Sequence, residues 1–449
     1  MSNAPILTVR QIRLTERPVT LRLPFQFGST EVRHTSEIYC KAEVTIGGRA
    51  VTGRSAQLMV PRWFDKRANL SNEDTVEELR QTASQAAASA VGMTGSAATL
   101  SRELREAVAA HLPADIPALA AGFGPALIEM ALIDAVCRLT GLPFWRAARD
   151  DLFGLSADLP QDLGADDFKA ALNRIAPPQR LRLRHTIGFD APLTDRPGDA
   201  PMDGLPVTLT EVMARTGIQA WKIKLKGDPD ADAARLLALQ QVLAGQMGGG
   251  VTLDANEQYT PDNFRMLLDR LHARDLAPIT RRVRFFEQPF AREVALEMRN
   301  DFRVPIVIDE SDDHMDAFTH ALDLGWSGSS IKSCKGVLRA LVNMARARAV
   351  DAILTGEDLT CQPGLCWTQD SAMAAACGVP DVERNGHHFA GGMQGAGPAE
   401  KARFLALHPG IFRQDGDVVT LNIRDGQVDI SSLDAPGFGA SEAAASQEY

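Results

Sequence analysis

The period of apolar and polar residues changes several times along the chain, and each change marks a structural unit. Residues 5–53 alternate in Ile6-Leu7-Thr8-Val9, Leu21-Arg22-Leu23 and Ile38 to Val44, and close on the turn Gly47-Gly48. That pattern predicts a small antiparallel sheet. From Asn72 to about Leu112, and again from Pro125 to Leu139, the spacing is helical and rich in Ala, Glu and Leu, until Gly141-Leu142-Pro143 stops it. Strands followed by helices define an α+β unit.

A second rhythm starts at Arg180, where short apolar runs alternate with amphipathic helices. The strand candidates are Leu181 to Ile187, Ala220 to Lys226, Val251 to Asp254, Val283 to Glu287, Pro305 to Asp309, Ser329 to Lys332, Ala352 to Gly356 and Val382 to Arg384. Eight strands at helix-length intervals predict a βα barrel. An open doubly wound sheet is the competitor, but no Gly-rich phosphate loop follows the first strand. The Pro/Gly/Asp-rich stretch 195–206 is a loop after the first strand, and 155–180 reads as a helix flanked by loop with no assigned role. Residues 417–430 read as a hairpin turning at Asp425-Gly426, followed by an Ala/Ser/Glu tail expected to fray.

Composition narrows the class. The chain has 449 residues, 45% of them apolar, and a net charge of −10 without a basic run, which argues against nucleic acid and anionic membranes as partners. No stretch of about 18 apolar residues and no charged leader with an apolar core is evident, so a cytoplasmic protein is expected. Six scattered cysteines, without a CxxC pair, suit reduced and mostly buried thiols; Cys361 and Cys366 are read as ordinary small apolar residues.

The chemistry sits where strands end. Three successive strands close on a carboxylate, Asp254, Glu287 and Asp309, spaced by 33 and 22 residues. In a barrel the C-terminal strand ends meet at one mouth, so the three acids converge. Any one of them alone could simply cap the next helix. Three together need a cation, and an all-oxygen set suits Mg²⁺. On the strand Trp221-Lys222-Ile223-Lys224-Leu225-Lys226 the three lysines project from one face. The sixth strand ends in Lys332, so Lys224 and Lys332 face each other across the mouth with the acids between them. This arrangement suits removal of a proton α to a metal-bound carboxylate, with an amine as the base. Lys222 supplies a neighbouring positive charge that favours the neutral amine on Lys224.

The motif Lys222-Ile223-Lys224, the acids of Asp254-Ala255-Asn256, Glu287-Gln288-Pro289 and Asp309-Glu310-Ser311, and Lys332 together resemble the muconate-lactonizing-enzyme subgroup of the enolase superfamily, within the mandelate racemase/muconate lactonizing enzyme family. Ala131-Leu132-Ile133-Asp134 through Gly141-Leu142-Pro143, and Pro436-Gly437-Phe438-Gly439, extend the likeness over nearly the whole chain. The resemblance implies an α/β fold, a modified TIM barrel of (β/α)7β type in residues 146–410, with an N-terminal α+β capping domain in 1–145 completed by a returning segment, 411–449. It implies Asp254, Glu287 and Asp309 as ligands of one Mg²⁺, with Mn²⁺ as a substitute, and Lys224 and Lys332 as acid/base catalysts. Asn256 and Glu310 are expected behind the ligands. Lys222, Arg62, Trp63, Glu357 and Glu383 are the substrate-binding candidates, with two cap loops, 25–30 and 57–63, over the mouth. A homo-oligomer acting on a small-molecule carboxylate is the implied assembly.

The departures also inform. The mandelate-racemase branch needs a histidine after the seventh strand, where Thr355-Gly356-Glu357-Asp358 offers none. Dipeptide epimerases carry an Asp-x-Asp pair on the eighth strand, and the corresponding stretch here is Glu383-Arg384-Asn385. His387-His388 is expected at the rim or in packing, because adjacent residues point apart on an extended strand. The reactions this site implies are racemisation or epimerisation, cycloisomerisation, or syn β-elimination as in acid-sugar dehydratases. Two other readings are a metal-dependent aldolase, which would not need lysines on both sides, and a barrel retained as a non-catalytic scaffold or binding protein.

Overall fold

A computed structural model describes residues 4–446. Three long antiparallel strands, Leu7–Phe27, Thr30–Ile46 and Arg49–Leu58, form a sheet, to which the two-residue strand Thr94–Gly95 adds at the edge of the first. The expected continuous helix from Asn72 is two helices. Asn72–Ala90 starts on a Ser71 capping box with Asp74, and Ala97–Ala109 starts on Ser96. Between them the chain reverses at Gly92 (φ 88°) so that Thr94 and Gly95 can pair with Thr8 and Leu7. Helix Phe123–Thr140 ends on left-handed Gly141 (φ 67°).

Ala118–Thr140, which contains the helical run expected from Pro125 to Leu139, is long and apolar enough to be a membrane span, contrary to the expectation that no such stretch occurs. Yet 89% of that window is buried against the sheet and neighbouring helices, which makes it the central helix of the cap. The contact is closest at Gly53, where a Cβ would stand 1.9 Å from the Ala131 carbonyl oxygen.

Eight parallel strands follow: Arg180–Ile187, Ala220–Lys224, Val251–Asp254, Val283–Glu287, Ile306–Ile308, Gly328–Ile331, Ile353–Gly356 and Val382–Glu383. Each pairs with the next, and the eighth pairs with the first, closing the barrel. The stretch 155–180 holds one helix, Ala165–Asn173. At the C-terminal end the hairpin is one unit earlier than expected, Phe412–Asp415 with Val418–Leu421. The Asp425-Gly426 turn exists but delivers Gln427–Asp429 antiparallel onto the first barrel strand instead. The alternation in 417–430 carries no information about which edge a strand joins, hence the misplacement.

The chain then returns to the cap: Phe438 N donates to Asp134 and Phe144 N to the Gly437 carbonyl. The tail does not fray where described, since Ala443 and Ala444 are fully buried; residues 447–449 lie outside the described residues. Gly53→Ala should cost about 1–3 kcal/mol by forcing the strand off helix 123–140; an unchanged urea midpoint would refute this close packing.

Candidate active site

Strand register sets the site. Lys224 pairs with Asp254, and Asp254 with Glu287, so three functional groups stand side by side on the last residues of the second, third and fourth strands. Asp309 and Lys332 lie one residue past the fifth and sixth strands, Glu357 one past the seventh, and Glu383 ends the eighth. Just beyond the acids the chain turns through left-handed conformations at Asn256 (φ 43°) and Gln288 (φ 36°). The Gln288 amide oxygen then accepts from the backbone N of Asp309 at 2.8 Å, which fixes that carboxylate's position.

All seven of these charged side chains are buried, and so is Lys222. Lys222 is their hub: its ammonium lies 3.0 Å from Asp254, 2.9 Å from Glu287, 2.7 Å from Glu357 and 2.9 Å from Glu383. The structure thus gives Lys222 four carboxylate partners, a wider role than tuning Lys224. Burial works against its charge, but those four carboxylates outweigh burial and hold its pKa well above the usual lysine range. Lys224 Nζ sits 2.6 Å from Asp254 Oδ2, and Lys332 Nζ 2.5 Å from Asp309 Oδ2. Burial would raise Asp309, but Lys332, Lys335 and Lys222 hold it well below the usual carboxylate range. Glu287 goes the other way, pushed well up by burial and by its neighbours Asp254 and Glu357. Glu357 is pushed up to about 7, chiefly by burial, although Arg184 and Lys222 oppose the shift.

The donor set fits Mg²⁺. Asp254, Glu287 and Asp309 offer only carboxylate oxygens, and Glu287 Oε2 is buried with no hydrogen-bond partner.

The cap closes the site from above. The pocket is walled by Phe25, Phe27, Val60, Trp63, Leu359 and Thr360 over the lysines and carboxylates. Lys332 Nζ lies 4.1 Å from the centre of the Trp63 ring, and Lys224 Nζ 5.9 Å from that of Phe25. Trp63 therefore joins the site as expected, whereas Arg62 does not. At φ 59° Arg62 turns away and donates to the carbonyls of Leu70 and Lys66, a brace within its own loop. Glu357 and Glu383 lie deeper than the rim, held by Lys222 and, for Glu357, by Arg184; Thr186 Oγ1 donates to Glu383. Asn256 lines the pocket beside Lys224 and Glu310 stands behind it: Asn256 Oδ1 accepts from Lys224 at 2.7 Å, and its Nδ2 donates to Glu310 at 3.1 Å.

Three residues at the site escaped the sequence reading. Arg184 reaches Glu357 and Asp381 from the first strand, Lys335 lies 2.9 Å from Asp309, and Lys66 reaches in from the cap loop. Asp358, expected with Glu357 and Glu383 along the rim, lines the pocket with its carboxyl pushed up to about 8 by burial. Arg184 had a signal, since Arg180, Arg182 and Arg184 alternate as the lysines do; Lys66 had none.

The cysteine reading is corrected. Cys361 and Cys366 form a disulfide, because Pro363-Gly364 reverses the chain and brings their Cα atoms to 6.1 Å; the other four are free and buried. His388 packs edge-on against His185, with ring centres 4.8 Å apart, in keeping with the packing role.

Two outcomes test this electrostatic arrangement. Lys222→Met strands several buried carboxylates and should cost roughly 3–5 kcal/mol by urea denaturation; a loss under 1 kcal/mol would show that Lys222 is not the hub. Glu287→Gln should keep the fold while weakening Mg²⁺ binding by at least the roughly 10–100-fold that loss of even an outer partner costs. Calorimetry showing unchanged Mg²⁺ affinity would remove Glu287 from the ligand set.

Residues 207–443, more than half of the chain, match the family model described as enolase C-terminal domain-like. A 166-residue stretch, 37% of this chain, is 30% identical to a hydrophobic dipeptide epimerase of Citrifermentans bemidjiense, and the match spans about a third (34%) of that curated relative. Among solved structures, the chain superposes on a dipeptide epimerase from Enterococcus faecalis V583, complexed with Mg and the dipeptide L-Leu-L-Tyr, with a TM-score of 0.65. That likeness covers 96% of this chain and 99% of the other at 14% identity. It also superposes on a muconate lactonizing enzyme from Pseudomonas fluorescens, complexed with muconolactone, with a TM-score of 0.63, 96% of each chain covered and 16% identity. Identities this low speak for the fold, a parallel closed barrel with an antiparallel-sheet cap, and with the family match over more than half its length, the chain belongs to the enolase C-terminal domain-like family.

Proposed function

We propose that this protein is an Mg²⁺-dependent racemase or epimerase that exchanges the proton α to a small carboxylate. The observation that carries this reading is the pair Lys224 and Lys332, on the second and sixth of eight strands and hence on opposite sides of the barrel, both lining one pocket. Inversion at carbon needs a base on one face and an acid on the other. Asp254, Glu287 and Asp309 would hold Mg²⁺, which when bound neutralises the charge that builds on a substrate carboxylate as its α-proton leaves. Lys224 Nζ takes the α-proton from one face. Lys332, whose ammonium Asp309 favours against the effect of burial, returns a proton to the other, and the roles reverse for the opposite enantiomer.

Phe25, Phe27, Val60, Trp63 and Leu359 form an apolar wall that suits an uncharged α-substituent and excludes water from the ammonium groups. The eighth strand offers no free acid pair for a substrate ammonium. Arg384 there is buried against the Glu357 and Glu383 carbonyls, and Asn385 bonds Glu383 and Thr186 N. This separates the site from the Asp-x-Asp pattern of dipeptide epimerases.

The test is proton exchange. With Mg²⁺ in D₂O, a panel of chiral α-substituted carboxylates should include one that gains deuterium at the α-carbon. Lys224→Ala and Lys332→Ala should each slow exchange by roughly 100-fold or more, and each should act first on a different enantiomer. No exchange across the panel, or both variants matching the parent, would sink the two-base reading.

A further inference from the structure

The cap loop that carries Trp63 also carries Lys66, and the Lys66 ammonium does not stay in the cap. It crosses to the barrel, donating to Glu310 Oε1 at 3.1 Å and to the backbone carbonyl of Asn256 at 3.1 Å, and pairs with Glu257. Glu310 is fully buried, and among the described residues Lys66 is the one cation within 4.0 Å of it. The oxygen that Lys66 holds, Oε1, is the same one that accepts from Asn256 Nδ2 at 3.1 Å. An ionised carboxylate only accepts, so the amide nitrogen of Asn256 must face Glu310. Its oxygen is then turned the other way, onto Lys224 Nζ at 2.7 Å. A continuous chain of polar contacts therefore runs from Lys66 through Glu310 and Asn256 to the amine that would take the α-proton.

The same loop reaches the second lysine by another route. Trp63, three residues earlier, places its ring 4.1 Å from Lys332 Nζ. Arg292 ties the loop down between these two contacts, donating to the carbonyls of Trp63 (3.3 Å) and Phe64 (3.0 Å) while its guanidinium pairs with Glu257 at 3.0 Å. Lys66 is only partly covered, with 26% of its side chain exposed, whereas Glu310 and Asn256 are buried. The cap end of the chain is thus the end that can come undone.

We infer that Lys66 is a positioning residue that makes the aim of Lys224 depend on docking of the Trp63 loop, so that one cap segment readies both lysines at once. The inference rests on the two-lysine reading above. With the loop docked, Lys66 fixes Glu310, Glu310 sets the Asn256 amide, and Lys224 is held between Asn256 and Asp254. With the loop lifted, Glu310 loses the cation that anchors it and can shift together with the Asn256 amide it holds, so the second contact of Lys224 is no longer fixed while Asp254 remains. A misplacement of this size, two groups removed from the reacting atom, affects the chemical step more than the binding of substrate.

Two measurements on the full-length, Mg²⁺-loaded protein test the inference. The first needs no substrate: brief labelling with trace acetic anhydride, read by peptide mass spectrometry, compares Lys224 with the exposed Lys226 as internal reference. Lys66→Met should raise Lys224 labelling relative to Lys226 several-fold, Lys66→Arg should restore the parent ratio, and Glu310→Gln, made in case Lys66→Met folds poorly, should move the ratio as Lys66→Met does. The second is kinetic: Lys66→Met should lower kcat about ten-fold with KM nearly unchanged, more for the enantiomer whose proton Lys224 takes, and Lys66→Arg should recover most of the loss. Equal Lys224 labelling in the parent and both variants, or a rise in KM without loss of kcat, would overturn the inference. Absence of α-exchange in the parent would count against the proposed reaction alone, and the labelling ratios would still decide the role of Lys66.

Discussion

Carboxylates buried together at one barrel mouth repel one another and resist ionisation, and this single constraint organises the molecule. Asp254, Glu287, Asp309, Glu357 and Glu383 can share so small a volume only because Lys222, Lys224, Lys332, Lys335 and Arg184 are threaded among them. The compensation is uneven. Asp309, with lysines on both sides, is held well below the ordinary range, while Glu287 is pushed well above it. Glu287 also keeps one oxygen without a partner beside Asp254 and Glu357, so an added cation there would relieve like-charge repulsion.

This charge arrangement accounts for features far from the mouth. The barrel strands that carry it are short, three to five residues for the second to seventh, so each functional group sits at or just past a strand end where register fixes its height. Helix 123–140, buried almost throughout, lies against the cap sheet, and the C-terminal segment binds back onto it through Asp134. These contacts place the cap strands so that Phe25 and Trp63 each come down over one lysine.

The fold was legible in the sequence because it rests on period. Seven of the eight barrel strands were located to within a residue at each end, and the second, ending at Lys224, ran two residues short of its expected end. The convergence of Asp254, Glu287 and Asp309 with the two lysines was legible because these residues stand at or near the ends of apolar strand runs, where topology alone brings them together. What failed was side-chain direction in loops. Arg62 and Lys66 are four residues apart in one loop, both long and cationic, yet Arg62 folds back on its own carbonyls while Lys66 reaches the barrel. A left-handed residue at Arg62 reverses the loop there, and nothing in the local sequence announces that conformation. The Cys361–Cys366 pair was missed for a related reason, since a chain reversal between two residues decides whether their sulfurs meet. The C-terminal hairpin failed on pairing: alternation marks a strand but not the partner it will choose.

The apolar lid and the charged floor reinforce each other. Coulomb attraction weakens as water enters, so the contacts between Lys222 and its four carboxylates depend on Phe25, Phe27, Val60, Trp63 and Leu359 keeping the mouth dry. The lid in turn needs the charges, because its aromatic rings settle over ammonium groups whose positions the carboxylates fix, an attraction that strengthens when both partners are desolvated. A change that wets the pocket should therefore loosen lysines that it does not touch. A change that displaces a lysine should likewise loosen the cap above it. Cap and barrel are separate in sequence and separate in layer, but electrostatically they form one site, and the lysines are the parts they share.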